Sequence, residues 1–136
     1  MTRKMKALLL GPRESSYGAL RGPLEEALQE VSAEAVSVGE TLPGGAQWSK
    51  AIAEAIQQAD MIVADVSSPN PDVFYELGLA ASLRKPTVIL LSTEAKGSLP
   101  PDLASYQIVT YDPNDLRSLK SQISRVLSYQ ASKLTE

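Results

Sequence analysis

Residues Ala59 to Leu91 read ADMIVADVSSPNPDVFYELGLAASLRKPTVILL, and the order of apolar runs and turn residues in this stretch decides the fold. Met61 to Val66 is a short run rich in branched residues, the mark of a strand buried on both faces. Ser67 to Asn70 supplies turn residues. Asn70 suits a helix N-cap, Pro71 the first helical position and Asp72 the positive end of the helix dipole, so a helix is predicted from Asn70 to Arg84. Pro86 to Leu91 is the next apolar run. Strand, helix and strand in about 30 residues is the length of a βαβ unit, and its strands run parallel.

The same alternation extends to both sides. Lys6 to Gly11 (KALLLG) is a strand closed by Gly-Pro, and Ala33 to Val38 (AEAVSV) is a strand at or near an edge. Between them a helix is predicted from about Ala19 to Val31, with Leu20, Leu24, Ala27, Leu28 and Val31 on one face. Gly22-Pro23 allows its true start to be Pro23 as first helical residue. The loop Gly39 to Gly45 is expected to be mobile. Trp48, Ile52, Ala55, Ile56 and Ala59 repeat at helical spacing from Gln47 to Ala59. After a polar loop with Pro100-Pro101, Gln107 to Tyr111 (QIVTY) is the fifth strand. The last helix carries Leu116, Leu119, Ile123, Val126 and Leu127 on one face, with a frayed end expected after Tyr129. Five short apolar strands alternating with helices give an α/β fold: one domain spanning 1–136, with a flavodoxin-like, Rossmannoid, doubly wound parallel sheet of order 2-1-3-4-5.

Composition narrows the chemistry. The 136 residues are 43% hydrophobic and 21% charged, ordinary for a globular protein with a real core. With no cysteine and no histidine, thiolate catalysis, disulfides, cysteine-ligated zinc and the commonest general base are excluded. Any catalysis must run on carboxylates, hydroxyls, Lys, Arg, Tyr or backbone groups. No carboxylates cluster with metal-ligand spacing, so no metal site is expected. A net charge of −3 argues against a nucleic-acid or anionic-membrane surface. Arg3, Lys4 and Lys6 precede only the short run Ala7 to Leu10, too brief for a signal-peptide core, and no segment approaches the ~20 apolar residues of a membrane span. A cytoplasmic protein is expected.

In a doubly wound sheet the ligand crevice lies beyond the carboxyl ends of strands 1 and 3. Two loops form its walls: Gly11 to Gly18, with Gly11, Pro12, Arg13, Ser16 and Tyr17 as candidate substrate contacts, and Ser67 to Asn70, with Asp65 and Ser67. Neither carries GxGxxG or a P-loop, and no cofactor is expected. Asp72 and Glu76 are four residues apart, on one side of the helix. Val73, Leu77, Ala80 and Ala81 define the face toward the sheet, with Glu76 at its border. One turn beyond Glu76 stand Leu79 and Ala80 rather than a cation. Phe74, Leu79 and Leu83 make the helix apolar nearly all round, so a glutamate there calls for a reason. Gly78 lowers helix propensity by about 1 kcal/mol against Ala and permits close approach of a ligand or another backbone.

Several of these residues carry two readings. Glu76 is either a site carboxylate or a solvated helix residue. Asp65 either faces the crevice or caps its own loop through Ser67 or Ser68 in an Asx turn. Arg13 meets ligand oxygens or is solvated, Tyr17 binds or packs, and Trp48 stacks on a base or lies in the core. Lys85 is a helix C-terminal cation.

The segment NPDVFYELGLA, following the strand that ends in Ala64-Asp65, resembles the signature of the nucleoside 2-deoxyribosyltransferase-like and TIR-like superfamily. The resemblance is strongest from Ala59 to Leu91 and extends more weakly over the N-terminal half. It implies that the glutamate of this segment, Glu76, attacks or stabilises the anomeric carbon of a ribosyl group and cleaves an N-glycosidic bond. The ligand it implies is a nucleoside, nucleotide or NAD-type small molecule, and the TIR-like branch implies a homo-oligomer. The transferases carry an aspartate six residues before the nucleophile. Asn70 holds that place here, Asp72 is the nearest acid, and the wider TIR-like branch fits better. A non-catalytic nucleotide sensor or an assembly module using Phe74, Leu79 and Leu83 is the alternative expectation. A phosphoacceptor receiver has the same fold, but the chain offers Gly11-Pro12-Arg13 where that needs an acidic pair.

Overall fold

The computed structural model describes residues 4–11, 15–37, 48–68, 70–95 and 99–134, with backbone alone for 15–17, 48–49 and 134. Strands β1 (Met5–Leu10), β2 (Ala33–Val36), β3 (Met61–Asp65), β4 (Thr87–Ser92) and β5 (Gln107–Tyr111) alternate with helices α1 (Ser15–Glu30), α2 (Trp48–Gln58), α3 (Pro71–Ser82) and α4 (Leu116–Leu134). The strands are ordered β2-β1-β3-β4-β5 and all pair in parallel. This is the flavodoxin-like doubly wound sheet that the sequence predicts.

Alternation along each strand divides the core into two layers. Ala7, Leu9, Met61, Val63, Val88 and Leu90 face α1 and α4, where Leu24, Leu28, Leu119, Ile123 and Leu127 meet them. Leu8, Leu10, Ile62, Ala64 and Ile89 face α2 and α3, against Ile52, Ile56, Val73, Leu77 and Ala80. Every residue of β3 is buried, because both faces of the central strand are covered by helices.

The chain departs from its sequence-level reading in places with identifiable causes. Helix α1 begins at Ser15, not at Ala19 or Pro23, and Pro23 lies inside it. Proline removes the hydrogen bond to the Ala19 carbonyl, but Ala19 is exposed, so water can satisfy that oxygen. Gly22 removes the side-chain clash that a residue before proline ordinarily suffers. Strand β2 ends at Val36, while Val38 and the loop Gly39 to Gly45 lie outside the described residues. Helix α4 runs past Tyr129 to Leu134, with Ala131 buried. The polar loop after β4 contains a 3-10 turn, Pro101–Ser105, that seats Leu103 in the α2/α3 layer.

The end of α3 was only partly visible from sequence. Arg84 takes the left-handed conformation (φ 56°). Its N–H donates to Ala81 O (3.0 Å), and the Lys85 N–H donates to Ala80 O (3.1 Å), the paired bonds of a Schellman cap. The chain then turns so that Lys85 Nζ donates to Gln57 O (2.9 Å) and Ala59 O (2.8 Å). Lys85 is a helix C-terminal cation, as expected, but the helix it caps is α2. Asp60 ties the same corner to β1, its carboxylate accepting from the Lys6 N–H at 2.8 Å.

Candidate functional site

The two sides of the sheet part at β1 and β3. Leu10 is paired with Ala64, so Gly11 leaves β1 beside Asp65 and both following loops emerge at one end of the sheet. The loop after β3 delivers α3. Asn70 is its N-cap, with Oδ1 accepting the Asp72 N–H at 2.9 Å, while its carbonyl accepts from Val73 (3.1 Å) and Phe74 (3.3 Å). These bonds fix where α3 starts and so fix the azimuth of every residue on it.

That azimuth puts Glu76 on the buried stripe with Val73, Leu77 and Ala80. Glu76 is 7% exposed, in the second turn of a helix that starts at the carboxyl end of the central strand. Asp72, one turn earlier, is exposed, so the two carboxylates share a side of α3 but sit at different depths. Ala81, expected to face the sheet, is exposed instead, because it stands about 100° round the helix from Ala80. Phe74 and Leu79 are partly buried against the core, whereas Tyr75 (58% exposed) and Leu83 (43%) project outward. Gly78 is exposed, and a Cβ built on it would meet nothing within 4 Å.

Asp65 follows Met61 and Val63 on the α1/α4 face of β3, and at 4% exposed it is deeply buried. The Ser67 N–H donates to its Oδ1 (2.9 Å) and the Tyr111 hydroxyl to its Oδ2 (2.9 Å). The Ser67 bond is the Asx turn considered from sequence. Ser67 Oγ in turn accepts the Ser92 N–H at 2.7 Å and lies 3.4 Å from the Tyr111 hydroxyl. Burial, with the Asp65 carboxylate adding to it, pushes the Tyr111 hydroxyl up to about 12 against the partial relief of Ser67, so Tyr111 remains a proton donor at neutral pH. The network ties the carboxyl ends of β3, β4 and β5 together. Beside it opens a recess of about 240 Å³, also lined by Ala19, Leu20, Glu94 and Leu116.

The sequence candidates therefore divide. Asp65 and Ser67 stand together in the α1/α4 layer, and Glu76, Asp72, Asn70 and Gly78 belong to α3 in the other layer, with Gly11 beside the parting of the two. Pro12 and Arg13 lie outside the described residues, as do the side chains of Ser16, Tyr17 and Trp48. Ser92, Glu94 and Tyr111 were not singled out from sequence. Their signal was the polar atom at the carboxyl end of an apolar strand: Ser92 closes TVILLS, and the Tyr111 hydroxyl closes QIVTY. Among the described residues, no group of three or more His, Cys, Asp or Glu could hold a metal ion, and no helix is long and apolar enough to cross a membrane.

No protein-family model matches the chain, and no curated protein does. Solved structures do. The chain is similar to a CMP N-glycosidase of Clostridium botulinum (TM-score 0.67, 16% identity, covering 89% of this chain and 98% of that one). It is similar to the TIR domain of a Toll-related receptor of Hydra magnipapillata (0.66, 15%, 93% and 97%). It is also similar to a 2-deoxyribosyltransferase of Bacillus psychrosaccharolyticus (0.58, 16%, 85% and 90%). At these identities the likeness is one of fold. Those folds are the ones the NPDVFYELGLA resemblance points to.

Proposed function

We propose that the chain binds a nucleoside, nucleotide or NAD-type small molecule and acts on its N-glycosidic bond, with Glu76 as nucleophile or oxocarbenium stabiliser. One observation carries this reading: a carboxylate 7% exposed in the second turn of a helix that begins where the doubly wound sheet parts. A carboxylate held away from bulk water there would act on a developing oxocarbenium more strongly than a solvated one. The sharing of this fold with an N-glycosidase and a deoxyribosyltransferase supports the same chemistry.

In that chemistry the Glu76 carboxylate attacks C1′ as the C1′–N bond breaks, and the bonding pair leaves with the base, which takes up a proton. Water then displaces the carboxylate, its hydroxyl going to C1′ and its other proton to solvent. Asp72, the nearest acid on the exposed side of α3, is the candidate to protonate the departing base. Asn70 serves as the cap that orients the helix. The candidate ligand contacts are Gly11, Pro12, Arg13, Ser16 and Tyr17 from the segment after β1 and Ser67 from the loop after β3. Asp65 backs the latter loop by holding the Ser67 N–H, and Gly78 leaves open space beside the helix. The acidic net charge suits a small-molecule ligand rather than nucleic acid or a membrane surface, and a cytoplasmic setting is part of the reading. The test is base or nicotinamide release from a panel of nucleosides, nucleotides and NAD, compared between the native chain and Glu76→Gln.

A second reading is a nucleotide-sensing or TIR-type assembly module that forms a homo-oligomer without turnover. It is favoured by the exposed Tyr75 and Leu83 on α3 and by a TIR domain being as similar in fold as the N-glycosidase. Stabilisation by nucleotides without product would support this reading over the first.

A further inference from the structure

The recess at the ends of β3, β4 and β5 lies in the layer opposite α3; it shares the Asp65–Ser67 wall with the site assigned to Glu76, but the chemistry of Glu76 uses none of its other lining residues. We propose that it is a second ligand site, built for an uncharged polyol such as a sugar with adjacent hydroxyls. Its volume of about 240 Å³ is many times the ~15 Å³ that a single water needs. Its polar wall is formed by Asp65, Ser67, Ser68, Ser92, Glu94 and Tyr111, and no lysine or arginine lines it among the described residues. The two carboxylates of this lining disfavour phosphate and other anions.

The hydrogen-bond valences point to hydroxyls. A carboxylate offers about four lone-pair positions, and Asp65 uses two of them on the Ser67 N–H and the Tyr111 hydroxyl. Ser67 Oγ accepts from the Ser92 N–H and, because the Tyr111 hydrogen goes to Asp65, donates to the Tyr111 oxygen; Ser92 Oγ accepts from the Glu94 N–H and retains its hydrogen to donate. The wall thus presents acceptors and donors side by side. An ammonium ion would use only the acceptors, whereas each hydroxyl of a diol both donates and accepts. Leu20 and Leu116 supply an apolar wall against which the C–H face of a sugar ring can pack.

The site is tested by calorimetric titration with D-ribose, 2-deoxy-D-ribose and ribose 5-phosphate. Native chain, Glu76→Gln and Ala19→Trp are compared; Ala19 is an exposed residue of the rim, so the larger ring takes up the space of the recess while every group of the Asp65 network is kept. Ala95→Trp plugs it from another part of the rim should the first variant melt early. Ribose is expected to bind the native chain and Glu76→Gln alike, with 2-deoxyribose and ribose 5-phosphate each about tenfold weaker or more and binding lost in the plugged variant. Equal affinity for ribose and 2-deoxyribose, tighter binding of the phosphate, persistence in the plugged variant, loss in Glu76→Gln, or no ribose binding at high millimolar concentration would each overturn the proposal. Because Glu76→Gln is expected to keep this binding, failure here and failure of the N-glycosidic reading are told apart.

Discussion

Tyr111 and Gly78 show how single residues divide between holding the fold and leaving space. The Tyr111 hydroxyl fills one acceptor position of buried Asp65 at 2.9 Å. Tyr111→Phe is expected to lower stability by about 1–3 kcal/mol, the range for leaving a buried acceptor short of a donor. The effect has a pH signature. An ordinary tyrosine ionises near 10.0 and Tyr111 near 12. Its contribution is therefore full below pH 10 and lost as pH rises toward 12, because the unfolded chain gives up its proton first. Urea melts of both proteins across that range should converge; a difference independent of pH would contradict the assignment. Gly78 has open space where its Cβ would be, so Gly78→Ala should raise stability by about 1 kcal/mol through helix propensity alone. A lower melting temperature would show that something packs there.

Helix α3 places the candidate carboxylate, and both of its ends are made by identifiable bonds. Asn70→Ala should cost about 1 kcal/mol, while Asn70→Asp, which keeps a capping oxygen, should change stability by only a few tenths. Equal loss in the two variants would remove the capping role. At the other end, Arg84 stands in the left-handed region, where a side chain costs roughly 1 kcal/mol. Arg84→Gly is therefore expected to stabilise the chain in thermal melts, and destabilisation would contradict the Schellman assignment. The first end was legible in the sequence because Asn-Pro-Asp is a start signal with a mechanism. The second was not, since an arginine at the left-handed position carries no signal and glycine would have. The early start of α1 was hidden for the converse reason: Pro23 reads as a beginning, and only exposure of the Ala19 carbonyl side lets it sit inside.

Across the molecule, the alternation of five short apolar strands with helices was enough for a doubly wound sheet of order 2-1-3-4-5, while which helices share a layer came from the structure. Local pairs such as Asn70 and Asp72 were equally readable. The Asp65–Tyr111 contact was not, since 46 residues separate the partners and only the parallel register of β3, β4 and β5 brings them together. For the same reason Asp65 and Glu76, neighbours in the chain and joint candidates for one crevice, belong to opposite layers. At this scale the assembly reading predicts self-association through Tyr75 and Leu83, to be checked by sedimentation over a wide concentration range. A strict monomer throughout would count against it. The central claim concerns Glu76, and its most direct test is chromatography of base or nicotinamide released from nucleosides, nucleotides and NAD by the native chain and by Glu76→Gln. Release by the native chain, reduced about a hundredfold or more in a variant that keeps its fold by circular dichroism, is the predicted result. Equal release by both proteins, or none by either, would contradict it.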